Sequence, residues 1–188
     1  MQLSTLATQL QDDAARAVPP FGAKSIEMAR QLGPAAREFL LEQIQAGQTT
    51  AFLALEALRV TDPSAYAAIP ESDRSEIYGR ALRDSVLFNA WGLPGRYLTE
   101  TASAFASLGP AAISVLAPLL SDQRPASLED SKESTTSVIY RNRVCDYAWV
   151  LICEIQGRAC TYFRDPAERD QAIQVLRQEL QQSDESMR

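Results

Sequence analysis

Two copies of the segment Leu-Gly-Pro-Ala-Ala decide the fold class that this sequence predicts. The stretch from Met28 to Ile44 reads MARQLGPAAREFLLEQI, and the stretch from Ala104 to Leu120 reads AFASLGPAAISVLAPLL. The copies lie 76 residues apart. Each places glycine and proline between two apolar stretches of helical spacing, which is typical of a tight turn between two helices. The sequence therefore predicts a repeated helical hairpin.

A second match follows each copy. FLALEA at Phe52–Ala57 aligns with VLICEI at Val150–Ile155, now at an offset of 98 residues. The 22 additional residues are about the length of the polar segment 121–137, which we interpret as a mobile loop or insertion. Two copies of one helical unit account for both offsets.

Apolar residues recur at three and four positions through nearly the whole chain, and no strand-like alternation appears. This pattern predicts an all-α fold of seven to nine helices in a single domain over residues 1–182, with a disordered tail at 183–188. Pro118 predicts a kink, and Asp62-Pro63 predicts a turn. The helix near 144–155 is apolar around most of its circumference, which predicts a position at the centre of the core.

An apolar helix that ends in Leu-Gly, a Pro-Ala-Ala turn and a second apolar helix resemble a HEAT-type repeat. The likeness is strongest to the short bacterial repeats of the bilin-lyase-like group and covers about 28–60 and 98–156. It implies a bacterial protein built of stacked antiparallel helical hairpins, either as a repeat array or as a compact α-α superhelix. Such hairpins cannot bury their apolar faces alone, so neighbouring hairpins must stack.

Charge and composition exclude several classes of function. The 188 residues carry a net charge of −6 and include no histidine. An acidic chain lacks the basic surface that nucleic acids and anionic membranes require. The N-terminus does not resemble a signal peptide, and no apolar run is long enough to span a membrane, so we expect a cytoplasmic protein.

The sequence shows no arrangement of catalytic residues. It contains no GxSxG, Walker A or GxGxxG motif, and no imidazole is available as a general base. Cys145 and Cys153 would lie about 12 Å apart on one helix, too far for a disulfide, and we interpret both, with Cys160, as small apolar core residues in a reducing compartment. The prediction is a non-enzymatic protein without cofactor or metal.

Two acidic residues are candidates for burial. Asp146 lies within the most apolar helix, where a buried carboxylate needs a partner, and Arg143 is better placed for this than Arg141. Glu154 aligns with Glu56 between the repeat copies, and both are flanked by apolar residues.

An Arg-and-aromatic segment at 78–98 is the predicted contact surface, since Trp, Tyr and Arg dominate binding hot spots. Its predicted contact residues are Arg80, Arg83, Phe88, Trp91, Arg96 and Tyr97. The competing interpretation is that Phe88 and Trp91 seal the core beside a turn.

The predicted function is a protein–protein interaction or adaptor module. A narrower form of this hypothesis is an acidic inhibitor or immunity-type protein that binds a basic partner. The alternative, implied by the bilin-lyase-like resemblance, is an enzyme or small-molecule-handling protein in which Asp146 or Glu154 acts near a pocket lined by Tyr147, Trp149 and Tyr162. A binding module should show a groove or apolar patch bordered by arginine, whereas a lyase-like protein should show a deep pocket with a converging carboxylate.

Overall fold

The fold is built almost entirely from helices, which confirms the all-α prediction. The computed structural model of the chain describes residues 2–129 and 133–186. Its α-helices are α1 (Gln2–Ala15), α2 (Lys24–Leu32), α3 (Arg37–Gln45), α4 (Ala51–Thr61), α5 (Pro63–Ala68), α6 (Glu71–Asp84), α7 (Glu100–Ala106), α8 (Pro110–Leu116), α9 (Ser134–Tyr140), α10 (Val144–Ile155) and α11 (Pro166–Ser186). Short 3₁₀ helices lie at Pro20–Gly22, Gly33–Ala36, Asn89–Trp91 and Ala117–Ser121.

The only strands among the described residues form a two-residue hairpin. Strand β1 (Gly92–Leu93) pairs antiparallel with β2 (Tyr97–Leu98), with Gly92 opposite Leu98. Gly92 needs its positive φ of 87° and its missing side chain, since a Cβ there would lie 2.5 Å from the Tyr97 carbonyl oxygen. The predicted break between helices at this point is therefore a hairpin turn.

The eleven α-helices of the described residues exceed the predicted seven to nine because two short helices were missed. The sequence predicts a turn at Asp62-Pro63, but the Asp62 carboxylate accepts the Ala65 N–H at 2.9 Å and caps the start of α5, with Pro63 in the first turn. Helix α9 begins in the polar segment 121–137, and only its last three residues are apolar, so it has no apolar stripe. It ends at Arg141, whose φ of 52° turns the chain before α10 begins.

Contacts divide the chain into two compact units, residues 1–81 and 82–188, with the boundary inside α6. In the first unit α4 is central and packs against α1, α2, α3 and α5. Its buried residues include Leu53, Leu55 and Leu58. Asp13 of α1 is also buried and accepts the Ser25 N–H at 2.7 Å, so a carboxylate of one helix caps the start of the next.

In the second unit α10 is central, as its composition predicted. It packs against α7, α8, α11 and the 3₁₀ segment Ala117–Ser121, and nine of its twelve residues are buried. The predicted kink at Pro118 coincides with the change from α8 to that 3₁₀ segment. The missing N–H of proline explains why the α-helical bonding pattern does not continue.

Each unit contains one copy of the Leu-Gly-Pro-Ala-Ala turn, and the glycine has the same backbone conformation in both copies. Gly33 has φ 54° and ψ −132°, and Gly109 has φ 60° and ψ −133°. The alanine and the leucine that follow in each copy are fully buried: Ala36, Leu40, Ala112 and Leu116. The internal repeat is thus present in local geometry as well as in sequence, while its relationship to HEAT repeats stays a prediction.

The polar segment 121–137 has defined structure over most of its length, and residues 130–132 lie outside the described residues. The Ala126 N–H donates to the Asn142 carbonyl at 2.8 Å, and the Phe88 N–H donates to the Ser127 carbonyl at 2.8 Å. The last residues of the segment belong to α9.

The C-terminal helix is longer than expected. The sequence predicts a disordered tail at 183–188, but α11 continues to Ser186. The final two residues of that predicted tail lie outside the described part of the chain.

Candidate functional site

A groove of about 660 Å³ that is open to solvent lies in the first unit. It lies between α3, α5 and α6, with Gly47 and Pro70 from the connecting loops. Its apolar lining consists of Leu41, Ile44, Ala65, Ala68, Ile69 and Ile77. Ile44, Ala65 and Ile77 form the buried part of this lining, whereas Ala68 is exposed.

Four charged residues border the groove, namely Arg37, Asp73, Glu76 and Arg80. Arg80 donates to the Gly47 carbonyl at 2.8 Å, and its other terminal nitrogen lies 3.8 Å from the carboxylate of Glu76. Arg37 lies 3.5 Å from the carboxylate of Asp62. An apolar floor bordered by arginine is the geometry expected of a binding surface.

A buried acidic cluster lies in the same unit. Glu56 is 1% exposed and accepts two hydrogen bonds from Arg59, each at 3.0 Å. The Tyr78 hydroxyl donates to the same carboxylate at 2.5 Å. Burial, together with the negative charge of Glu56, raises the pKa of Tyr78 far above its ordinary value. Both oxygens of this buried carboxylate accept hydrogen bonds from side chains of the same unit, which indicates a structural role.

The predicted burial of Asp146 is correct, and so is its predicted partner. Asp146 is fully buried and accepts from the Arg143 side chain at 3.0 Å and from the Arg143 backbone N–H at 2.9 Å. Arg141, judged less well placed, contributes its carbonyl to the cluster rather than its charge. The acid therefore caps the N-terminus of α10 and anchors an ion pair at the same time.

Arg169 completes this cluster and was missed. Its Nε donates to Asp146 at 3.0 Å, and its four remaining N–H groups bond to the carbonyls of Phe163, Arg164, Tyr140 and Arg141. A signal was present in the sequence, because Arg169 lies four and seven residues before Ile173 and Leu176 on the inward stripe of α11. A charged residue on an apolar stripe indicates a buried ion pair.

The second predicted buried acid, Glu154, is exposed, so that prediction is wrong. Glu154 is the penultimate residue of α10, where the helix leaves the core. The aligned residue Glu56 lies in the middle of α4 and is buried. The two glutamates therefore align in sequence but differ in burial.

Two of the six predicted contact residues belong to the core. Phe88 and Trp91 are each 1% exposed, and Phe88 packs against Tyr147 with ring centroids 4.9 Å apart. Their large apolar surfaces are buried beside the hairpin, so the competing interpretation of a sealed core applies to these two residues.

The other four predicted contact residues are exposed. Arg80 borders the groove of the first unit. In the second unit Arg83 pairs with Asp84, and Arg96 and Tyr97 lie on the hairpin.

Of the aromatic residues predicted to line an enzyme pocket, Trp149 and Tyr162 stack on one another, whereas Tyr147 packs against Phe88. Tyr162 lies 6.0 Å from Tyr140 and 5.9 Å from Trp149 between ring centroids, and its hydroxyl donates to Asn142 at 2.7 Å. The cleft beside Tyr162 has a volume of about 50 Å³, and the described residues that line it include no carboxylate. The backbone of Gly95 packs directly against Tyr162, since a Cβ at Gly95 would lie 2.1 Å from the Cβ of Tyr162.

The cysteines are free thiols. Cys145 and Cys153 are buried and Cys160 is half-buried. Burial, with the nearby charge of Asp146, raises the pKa of Cys145 to about 12. A hydrogen bond from the Cys160 thiol lowers the pKa of Cys153.

Neither a metal-binding cluster nor a single membrane-spanning helix is found among residues 2–129 and 133–186. In this part of the chain no group of three acidic, cysteine or histidine residues could hold a metal ion. One pair of helical segments, Glu100–Ala106 and Pro110–Ser121, together reaches the length and apolarity of a span, but across a bend of 106°.

Comparison with known proteins identifies no relative. No family model matches the chain, and neither the curated proteins nor the solved structures contain a match.

Proposed function

We propose that this protein is a non-enzymatic protein-interaction module and that the groove of the first unit is its binding site. The observation that carries the proposal is the apolar groove of about 660 Å³ with Arg37 and Arg80 on its border. Apolar surface that remains open to solvent stabilises a complex when a partner covers it, and arginine is enriched at such interfaces.

The acidic residues of the core support a non-enzymatic role. Glu56 and Asp146 both lie in the interior and have their carboxylate oxygens occupied by arginine donors. A general acid or base needs access to a substrate proton. The small cleft beside Tyr162 likewise does not favour the lyase-like alternative.

The net charge of −6 supports the narrower proposal of an inhibitor or immunity-type protein with a basic partner. Opposite net charges accelerate encounter between proteins and favour the correct partner. The groove would then provide the apolar contact that holds the complex together.

The proposal is tested by blocking the groove without disturbing the core. Ala68 is exposed and lines the groove, so Ala68→Arg places a long side chain in it. Ala67 is also exposed on α5 but does not line the groove, and Ala67→Arg is the matched control. Tagged full-length wild type and both variants are used to capture proteins from a lysate of the source organism, followed by quantitative mass spectrometry.

We expect at least one protein to be captured by wild type and by Ala67→Arg, and to fall about tenfold with Ala68→Arg. Such a loss corresponds to about 1.4 kcal/mol of binding free energy. If the captured proteins are the same for all three baits, the groove is not the binding site. If native mass spectrometry instead detects a small molecule that Ala68→Arg displaces, the small-molecule alternative replaces the proposal.

A further inference from the structure

The charged residues that border the groove differ in whether a group of opposite charge in the same unit already pairs with them. Arg80 is held by the Gly47 carbonyl and by Glu76, and Arg37 is paired with Asp62. Both arginines at the groove are therefore compensated by neighbouring groups of the same unit.

Asp73 is different. It lies exposed in the first turn of α6 and borders the groove, and its carboxylate accepts a hydrogen bond from the Ser72 hydroxyl at 3.2 Å. No basic side chain of the described residues forms an ion pair with it. The charge at the groove that has no side-chain partner of opposite sign is consequently negative.

The charge of the whole unit has the same sign. Residues 1–81 contain ten acidic and seven basic side chains, which leaves a net charge of −3. A cationic segment approaching the groove is therefore attracted both by the unit as a whole and by one specific carboxylate.

Resting on the proposed function, we propose that the groove binds a segment of another protein that combines apolar side chains with an adjacent lysine or arginine, whose cation pairs with Asp73. The apolar side chains would lie over Leu41, Ala68 and Ile69, which are accessible in the groove lining. Burial of these contacts supplies the affinity, and the pair with Asp73 fixes the position and direction of the segment.

The shape of the groove favours a peptide segment over a small molecule. Its volume falls within the range of about 300–1,000 Å³ found for ligand sites, but ligand sites enclose most of their ligand and direct several polar groups toward it. In this groove the charged side chains lie at the border and the buried lining is apolar. This arrangement favours an extended peptide segment that lies along the groove.

The probe is a library of random twelve-residue peptides displayed on phage and selected on the full-length protein. Enriched peptides are then synthesised with a fluorophore, and their dissociation constants are measured by fluorescence anisotropy. The test variants are Asp73→Asn and Ala68→Arg. The control variants are Glu71→Gln, an exposed acid of the same helical turn outside the groove lining, and Ala67→Arg.

We expect the enriched peptides to contain lysine or arginine beside apolar residues. Asp73→Asn should weaken the binding of such a peptide about fivefold, which is the scale of one solvent-accessible ion pair. It should also reduce the dependence of the dissociation constant on salt. Glu71→Gln should leave the affinity unchanged, and Ala68→Arg should weaken it at least tenfold.

The outcomes separate this inference from the proposed function. Peptides that bind wild type, lose binding to Ala68→Arg and show no preference for basic residues overturn the role of Asp73 and leave the groove as a binding site. Peptides with a basic residue whose affinity is the same for Asp73→Asn as for wild type overturn it equally. If Ala68→Arg retains the affinity of wild type, the proposed function itself is wrong.

Discussion

Arg169 and Asp146 form an ion pair at 3.0 Å in which both side chains are completely excluded from solvent. They belong to α11 and α10 and lie 23 residues apart in the chain. Arg169 also holds the carbonyls at the end of α9 and those just before α11. One guanidinium therefore joins three helices of the second unit through five hydrogen bonds.

We predict that Asp146→Asn destabilises the protein by about 3–5 kcal/mol. The substitution keeps the size of the side chain but leaves the charge of Arg169 uncompensated in the interior, and breaking a buried pair from one side costs about this much. Urea unfolding followed by circular dichroism measures the change. Asp84→Asn is the control, since its pair with Arg83 is exposed and contributes less than about 1 kcal/mol. Equal stabilities for the two variants would contradict a structural role for the buried pair.

The sequence predicts the contact of Asp146 with Arg143 better than its contact with Arg169. Asp146 and Arg143 are three residues apart and are the N3 and N-cap residues of α10, so the local geometry at the start of this helix brings them together. Arg169 comes from a separate helix, and no local pattern specifies which helices pack side by side. The groove was missed for the same reason, because α3, α5 and α6 form it only through tertiary packing.

The aligned acids Glu56 and Glu154 should respond differently to the same substitution. Glu56→Gln removes a buried charge that accepts from Arg59 and Tyr78, and we expect a loss of about 1–3 kcal/mol. Glu154→Gln alters an exposed side chain and should change the free energy of unfolding by no more than about 0.5 kcal/mol. Thermal and urea unfolding of both variants provide the comparison. A comparable loss at Glu154 would indicate that the two copies are more alike than the structure shows.

The two repeat turns should show the same cost when glycine is replaced. Gly33 and Gly109 have a positive φ with ψ near −130°, a region that side chains rarely enter, and a Cβ at either position would meet no atom within 4 Å. Gly33→Ala and Gly109→Ala should therefore each lose about 1–3 kcal/mol through backbone strain alone. Gly22→Ala, at a glycine without positive φ, is the matched control and should change stability by less than about 0.5 kcal/mol. A loss at only one repeat turn would rule out a shared conformational requirement.

These turns are the feature that the sequence predicts best. The Leu-Gly-Pro-Ala-Ala pattern specifies a reversal that depends on a few adjacent residues, and the glycine has nearly the same dihedral angles in both copies. The helix that follows each turn is less well predicted, because its packing depends on the partner helix. The first copy begins with a 3₁₀ turn and continues as α3, whereas the second begins as α8 and ends in a 3₁₀ segment at Pro118.

The stability of the protein should fall in alkaline solution, with Cys145 responsible for a defined part of the loss. Burial raises the pKa of Cys145 to about 12, whereas a thiol of the unfolded chain has a pKa of about 8.5. Between these values the folded protein keeps a proton that the unfolded chain releases. The contribution of Cys145 to the free energy of unfolding is therefore nearly constant below about pH 8.5. Above that pH it falls, with a slope that approaches about 1.4 kcal/mol per pH unit.

Cys145→Ala tests this assignment through the slope of stability against pH. The buried phenols of Tyr78 and Tyr147 also have raised pKa values, but a phenol of the unfolded chain ionises only near pH 10. Urea unfolding between about pH 8.5 and 9.5 therefore isolates the thiols, and both proteins retain Cys153 and Cys160. The free energy of unfolding should fall less steeply for Cys145→Ala, by about 1 kcal/mol per pH unit toward the upper end of this range. Parallel slopes would mean that Cys145 is accessible to hydroxide in the folded protein. A shallower slope in the variant would instead identify the buried thiol beside Asp146 as a source of the alkaline instability.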